Sequence, residues 1–179
     1  MNTPYTIEEH QHRLAAWVAA TAARASVLCR FDVETGVAVL EASGFTADFS
    51  VNHLPTPDEI DGVHREWRGV VISNAEQKGL RFSDGIAAKL INCYLKVRFV
   101  CGGHHLDARV EALHPPVDRI LLGGLAKTFC EEGKQWRQLR QKGWSTYDSE
   151  TYEKVIALVR TCRPGQPLWK IEEHWKGHQ

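Results

Sequence analysis

Apolar positions along this chain recur every three to four residues in one segment after another, with short polar or Gly/Pro stretches between the segments. The first segment runs to about Arg24, with Leu14, Trp17, Val18 and Thr21 at helical spacing behind the capping-box pattern Thr6-Ile7-Glu8-Glu9. A second helix is predicted over residues 33–42, closed by Ser43-Gly44, and Pro55 and Pro57 make residues 45–57 a loop. A third starts near Pro57-Asp58, carries Ile60, Val63, His64, Trp67 and Val71, and ends at Lys78-Gly79. Ser83-Asp84 caps a fourth over residues 86–100, whose apolar stripe is Ile86, Leu90, Cys93 and Val97. The Gly/His-rich residues 101–105 read as a break, and Pro115-Pro116 introduce a helix over residues 117–129. A charged helix over residues 131–141, a turn at residues 144–148 and a Ser149-capped helix over residues 152–160 follow. Arg163-Pro164-Gly165-Gln166-Pro167 forces a loop before a short last helix over residues 168–175.

β-Branched residues never alternate over a long run. Gly36-Val37-Ala38-Val39-Leu40 is the best strand candidate, and its flanks fit a helix as well. The pattern therefore predicts an all-α chain, one domain over residues 1–179, with seven or eight helices around a single core. The helices at residues 85–96 and 117–129 are expected to pack against each other. Trp17, Trp67, Trp144, Trp169 and Trp175 are expected to build the core, with one exposed ring free to stack on a base.

Net charge is zero but unevenly placed: acidic residues outnumber basic ones by six over residues 1–66, and the reverse holds over residues 67–179. This excludes a basic footprint over the whole protein and leaves room for a basic face on the C-terminal two-thirds. Cys29, Cys93, Cys101, Cys130 and Cys162 are odd in number, widely spaced and without a Cys-x-x-Cys pair, which argues for buried free thiols. No apolar run reaches the length of a membrane span. The polar Asn2, Thr3, Glu8 and Glu9 stand where a secretory leader would be, so a cytoplasmic protein without a membrane partner is expected.

Three groups carry candidate chemistry. Lys89, Asn92 and Lys96 lie one turn apart and are expected on one helix face; a desolvated Lys89 can act as a nucleophile, while Asn92 suits a base edge and Lys96 a phosphate. Asp118, behind Pro115-Pro116-Val117, suits a helix N-cap and equally a site carboxylate. Lys134, Arg137 and Arg140 repeat at helical spacing beside Trp136, a row that can track a phosphate backbone. Cys101, His104, His105 and His114 match no zinc spacing, no pattern calls for a cofactor, and His64 with Asp61 and His10 with His12 read as core or surface histidines.

Pro116-Val117-Asp118-Arg119-Ile120, following the Gly85–Lys96 stretch, resembles the Pro/Val-Asp segment of helix-hairpin-helix base-excision DNA glycosylases, whose aspartate sits at a helix N-terminus facing a flipped nucleotide. The chain also resembles uncharacterised bacterial proteins with a Glu-x-x-His-x-x-Ala-x-Trp-type helix, here residues 9–17, and a Gly-x-Ala-x-Lys-x-x-Asn-x-x-x-Lys helix, here residues 85–96. A Trp-Ser turn and a Pro-Leu-Trp-x-x-Glu helix, here residues 167–172, complete that layout. The glycosylase resemblance implies a DNA-binding fold cleaving an N-glycosidic bond, with Asp118 and Lys89 catalytic and Asn92, Lys96, Arg119, Lys134, Arg137 and Arg140 along the nucleic acid. The chain departs from that family at residues 78–85, which have two glycines, no proline and the charge of Asp84 where a Leu-Pro-Gly-x-Gly hairpin would grip phosphate. Two other readings fit the same residues: an enzyme acting on a free nucleoside or nucleotide, and a helical protein acting through protein contacts or self-association.

Overall fold

A computed structural model of the chain describes residues 4–129 and 131–177; Asn2, Thr3 and Cys130 lie outside the described residues. The described residues are helical, with no strand among them, and residues 36–40 fall inside a helix. The principal helices are α1 (Ile7–Ala23), α2 (Val33–Ala42), α3 (Ile60–Gln77), α4 (Asp84–Leu95), the single turn α5 (Ala108–Glu111), α6 (Arg119–Thr128), α7 (Gly133–Lys142) and α8 (Ser149–Cys162). A 3-10 helix, Leu168–His174, closes the chain, and a 3-10 turn, Val51–His53, lies in the expected loop. No helix among the described residues is long and apolar enough to cross a membrane.

The caps explain most helix starts. Thr6 accepts from the Glu9 amide at 3.2 Å, but the Glu9 carboxylate turns to Arg13 instead of completing the capping box. Ser83 caps α4 as expected. At α8 the cap is Asp148, which accepts from Thr151, while the predicted cap Ser149 serves a buried arginine. The break expected over residues 101–105 falls at Gly103. From Lys96 the helix widens into a π-helical turn, Lys96–His104, and ends where Gly103 takes a φ of 93°.

Helix α4 is the centre of the molecule: every residue from Gly85 to Leu95 is buried. It packs chiefly on α1, whose Ala15, Ala16, Ala19, Ala20 and Ala23 let the two backbones approach closely. Helix α6 packs mainly on α7 and meets α4 at a side-chain pair, not along the broad face expected from their order. Of the tryptophans expected in the core, Trp144 is buried, Trp67, Trp169 and Trp175 are half-buried and Trp17 is 55% exposed on α1; Trp136 on α7 is buried as well. Cys29 and Cys93 are buried thiols, but Cys101 is exposed.

A polar chain runs through the core beside α4. The fully buried Arg68 donates to His64 Nδ1 at 2.9 Å, which leaves the proton of that ring on Nε2, and Nε2 donates to Asn92 Oδ1 at 2.7 Å. Asn92 Nδ2 donates to the Tyr152 hydroxyl at 2.9 Å and to the Pro115 carbonyl at 3.1 Å. Tyr152 lies 3.1 Å from His114 Nδ1, and His114 Nε2 lies 2.8 Å from the carboxylate of Asp61, which Arg160 also holds. Each side chain thus donates to the next, and the buried guanidinium of Arg68 is matched by Asp84, Ser149 and Glu153.

Replacing Asn92 by Ala strands three buried partners at once. Asn92→Ala is expected to lower the unfolding free energy by about 3–5 kcal/mol, measured by urea denaturation, on the scale of 1–3 kcal/mol for each unsatisfied buried group.

Burial holds His64 and His114 below the ordinary histidine range; the charges of His114 and Arg68 add to this at His64, and those of Arg160 and Arg68 at His114, against the pull of Asp61. The unfolded chain therefore takes up protons that the folded one refuses. Stability is fully present above the ordinary histidine pKa of about 6.5 and falls as pH drops below it. A further loss follows in the carboxylate range, where Asp61 and Glu153 are held low by hydrogen bonds from His114 and Arg160 and from Arg65, Ser149 and Arg68. A plot of urea midpoint against pH is expected to show both descents, and His114→Asn to flatten the upper one.

Candidate active site

Two close approaches build the site. A Cβ on Gly85 would run into the Trp144 carbonyl, so glycine lets the Trp144–Thr146 turn sit on the start of α4, where the Gly85 amide also donates to the Tyr147 carbonyl at 3.1 Å. A Cβ on Gly124 would likewise strike the carbonyl of His174, so glycine lets the C-terminal 3-10 helix lie against α6. Between these supports is a cavity of about 480 Å³, bounded by α1, α4, the start of α6, Trp144 and Trp175. Its wall is mostly apolar, with Val18, Ala22, Cys93 and Pro116 contributing.

Asp118 is both N-cap and cavity residue. Its Oδ1 accepts from the amides of Ile120 and Leu121, each at 2.9 Å. Its Oδ2 accepts from Lys89 Nζ at 3.1 Å and Trp175 Nε1 at 2.9 Å. Burial works to raise this carboxyl, but Lys89 together with the backbone amides and Trp175 prevails and holds it below its ordinary value, so it is ionised at neutral pH. The Lys89 side chain is 8% exposed, and its ammonium lies 5.9 Å from the Trp144 ring centroid.

A second carboxylate lines the same cavity. Glu172 is paired with Lys96, whose ammonium also lies 6.0 Å from the Trp175 ring. Burial pushes the Glu172 carboxyl above its ordinary range despite the attraction of Lys96, and the Asp118 charge adds to the rise. Lys96 in turn holds its proton more firmly, because the attraction of Glu172 outweighs burial. Two carboxyl groups on one apolar wall are thus displaced in opposite directions.

The structure brings together Lys89, Lys96 and Asp118, and Arg119 stands exposed at their rim. Asn92 is not with them. It is 1% exposed and turned toward α3 and α8, where its side-chain polar atoms are taken by His64, Pro115 and Tyr152, so it offers none to the cavity. Lys134, Arg137 and Arg140 are exposed on α7, with Trp136 and Leu139 turned inward, and only Arg140 of these borders a groove next to the cavity. His114 is committed to Asp61 and Tyr152, and no group of three metal-ligating side chains occurs among the described residues. Glu172 and Trp175 were missed as site residues. The one sequence signal for them is the Pro-Leu-Trp-x-x-Glu pattern at residues 167–172, which marks a helix and says nothing of where it docks.

Removing the ammonium tests this balance. Lys89→Met is expected to raise the Asp118 carboxyl, followed by carboxyl carbon-13 titration, because it removes the opposite charge that opposes burial. Comparison of the chain with protein-family models, with curated proteins and with solved structures finds no match.

Proposed function

We propose that the protein hydrolyses an N-glycosidic bond, taking a nucleobase of DNA or of a nucleoside into the cavity between Trp144 and Trp175. The observation that carries this reading is the placement of two carboxyl groups, Asp118 and Glu172, on the wall of one apolar cavity flanked by two indoles. Flat aromatic faces and an apolar wall suit a heterocyclic base. An ionised carboxylate suits the positive charge that develops on the sugar as the bond to the base lengthens.

In this reading the C1′–N bond breaks and its electron pair leaves with the base, which takes a proton from Glu172. Lys96 stabilises the carboxylate left behind. Asp118 stabilises the oxocarbenium-like sugar, water adds at C1′, and the proton that water releases returns to Glu172. Lys89 acts here as a positioning residue, since its ammonium holds Asp118 in its ionised form. The opposite displacements of the two carboxyl groups support this division of roles.

The test is base release from a panel of damaged-base duplexes and from free nucleosides. Asp118→Asn keeps the shape and most of the capping ability but leaves the buried Lys89 ammonium without its counter-charge; it is expected to lower the rate by about 10²–10⁴-fold, with the accompanying loss of stability followed by urea denaturation so that the rate is compared on folded protein. Glu172→Gln is expected to lose the alkaline arm of the pH–rate profile, where the general acid gives up its proton, as well as rate. Intact substrates throughout the panel with the wild-type protein would sink the proposal and leave Asp118 as a helix cap.

A further inference from the structure

Beside the cavity lies a groove of about 690 Å³ between α6, α7 and the C-terminal segment, sharing Arg119 and Ile120 with it. Its charged lining is Arg119, Lys127, Arg140 and Lys176, with His174 alongside, and no carboxylate lines it among the described residues. This is unusual for a chain of zero net charge, whose other basic side chains are often paired: Arg65 with Glu153, Lys96 with Glu172, Arg160 with Asp61. Arg119, Arg140 and Lys176 have no hydrogen-bond or ion-pair partner among the described residues, and all four cations are exposed.

The local sequence opens this groove. Arg119, Gly123 and Lys127 follow one another at four-residue spacing on a single row of α6. The Arg140 side chain crosses from α7 onto α6 over Gly123, its Nε about one van der Waals contact (3.4 Å) from where a Cβ there would stand. The first amides of α6 are already taken by Asp118, and anion binding here falls to the side chains.

The segment at residues 78–85 cannot supply the grip. The amides of Gly79 and Leu80 close the end of α3, the Gly85 amide is held by Tyr147, and the Asp84 carboxylate is held by Arg68. We infer that the groove between α6 and α7 holds the phosphodiester backbone of a nucleic-acid strand whose base enters the adjoining cavity. This rests on the reading of the cavity as a nucleobase site. Four cations spread along a groove match several successive phosphates better than one, and Arg119, at the border of groove and cavity, falls where the phosphate next to the inserted base would lie.

The experiment is fluorescence anisotropy of a labelled single-stranded oligodeoxynucleotide across a salt series. Two doubly substituted proteins that lose the same charge are compared: Arg119→Ala with Arg140→Ala in the groove, and Lys134→Ala with Arg137→Ala on α7 outside it. Circular dichroism establishes that both fold. The groove pair is expected to weaken binding at least tenfold and to reduce the salt slope by about 1.4, the value for two phosphate contacts on a single strand. The outer pair is expected to stay within about twofold of wild type, as sites away from the backbone path do.

Equal losses from both pairs would overturn the inference, as would absence of binding at low salt. Displacement of the oligonucleotide by a nucleoside monophosphate at matched phosphate concentration would also overturn it, in favour of a small nucleotide. The two proposals fail separately. Base release from free nucleosides without oligonucleotide binding would leave the hydrolytic reading and remove the groove. Groove-dependent binding without base release from any substrate would do the reverse.

Discussion

The complete burial of α4 is the constraint from which most of this structure follows. A helix surrounded on all sides has no solvated face, so each polar residue on it must meet a partner inside the protein. Asn92 meets His64, Tyr152 and the Pro115 carbonyl; Lys89 meets Asp118. These two residues lie one turn apart on one helix, and between them they tie α3, α8 and the Pro115-Pro116-Val117-Asp118 segment to the centre. The Pro115 carbonyl and the Asp118 carboxylate belong to the same short stretch, so Asn92 and Lys89 hold it at both ends.

The same constraint explains the electrostatics of the cavity. Lys89, midway along the buried helix, and Lys96, at its C-terminal end, face a wall of apolar side chains, and each needs a carboxylate that the neighbouring chain must deliver. Asp118 comes already fixed by its own helix, with two amides on one oxygen. Glu172 comes on the C-terminal 3-10 helix, which docks only because Gly124 leaves space for a backbone carbonyl. The amides and Trp175 add to Lys89 in stabilising the charge of Asp118, whereas Glu172 relies chiefly on Lys96 against its burial. This difference in hydrogen bonding displaces the two groups in opposite directions.

The charge asymmetry along the chain also takes a specific form. Arg65, Arg68, Arg160 and Lys96 are consumed by carboxylates, most of them within the polar chain or the cavity, while Arg119, Arg140 and Lys176 collect around one groove. A row of basic residues in the sequence is thereby divided: Arg140 reaches the groove across Gly123, and Lys134 and Arg137 point elsewhere along α7.

The helical character, most boundaries and the caps at Thr6, Ser83 and Asp118 were legible in the sequence, because helix period and capping are local properties carried by residues within one turn. Lys89 and Asp118 were legible as candidates for the same reason: a lysine within an apolar helix and an aspartate behind two prolines stand out against their neighbours. Their meeting was an expectation from the resemblance and from the packing expected of the two helices, not from any local pattern, since it spans 29 positions and depends on how α4 and α6 cross. Three-residue spacing placed Asn92 with Lys89, but α3 and α8 pack around it and take its amide through His64 and Tyr152. Glu172, Trp175 and the groove belong wholly to the tertiary structure. Each depends on where the C-terminal helix lands, and that is decided by a missing side chain at Gly124, whose local sequence carries no sign of the carbonyl it must admit.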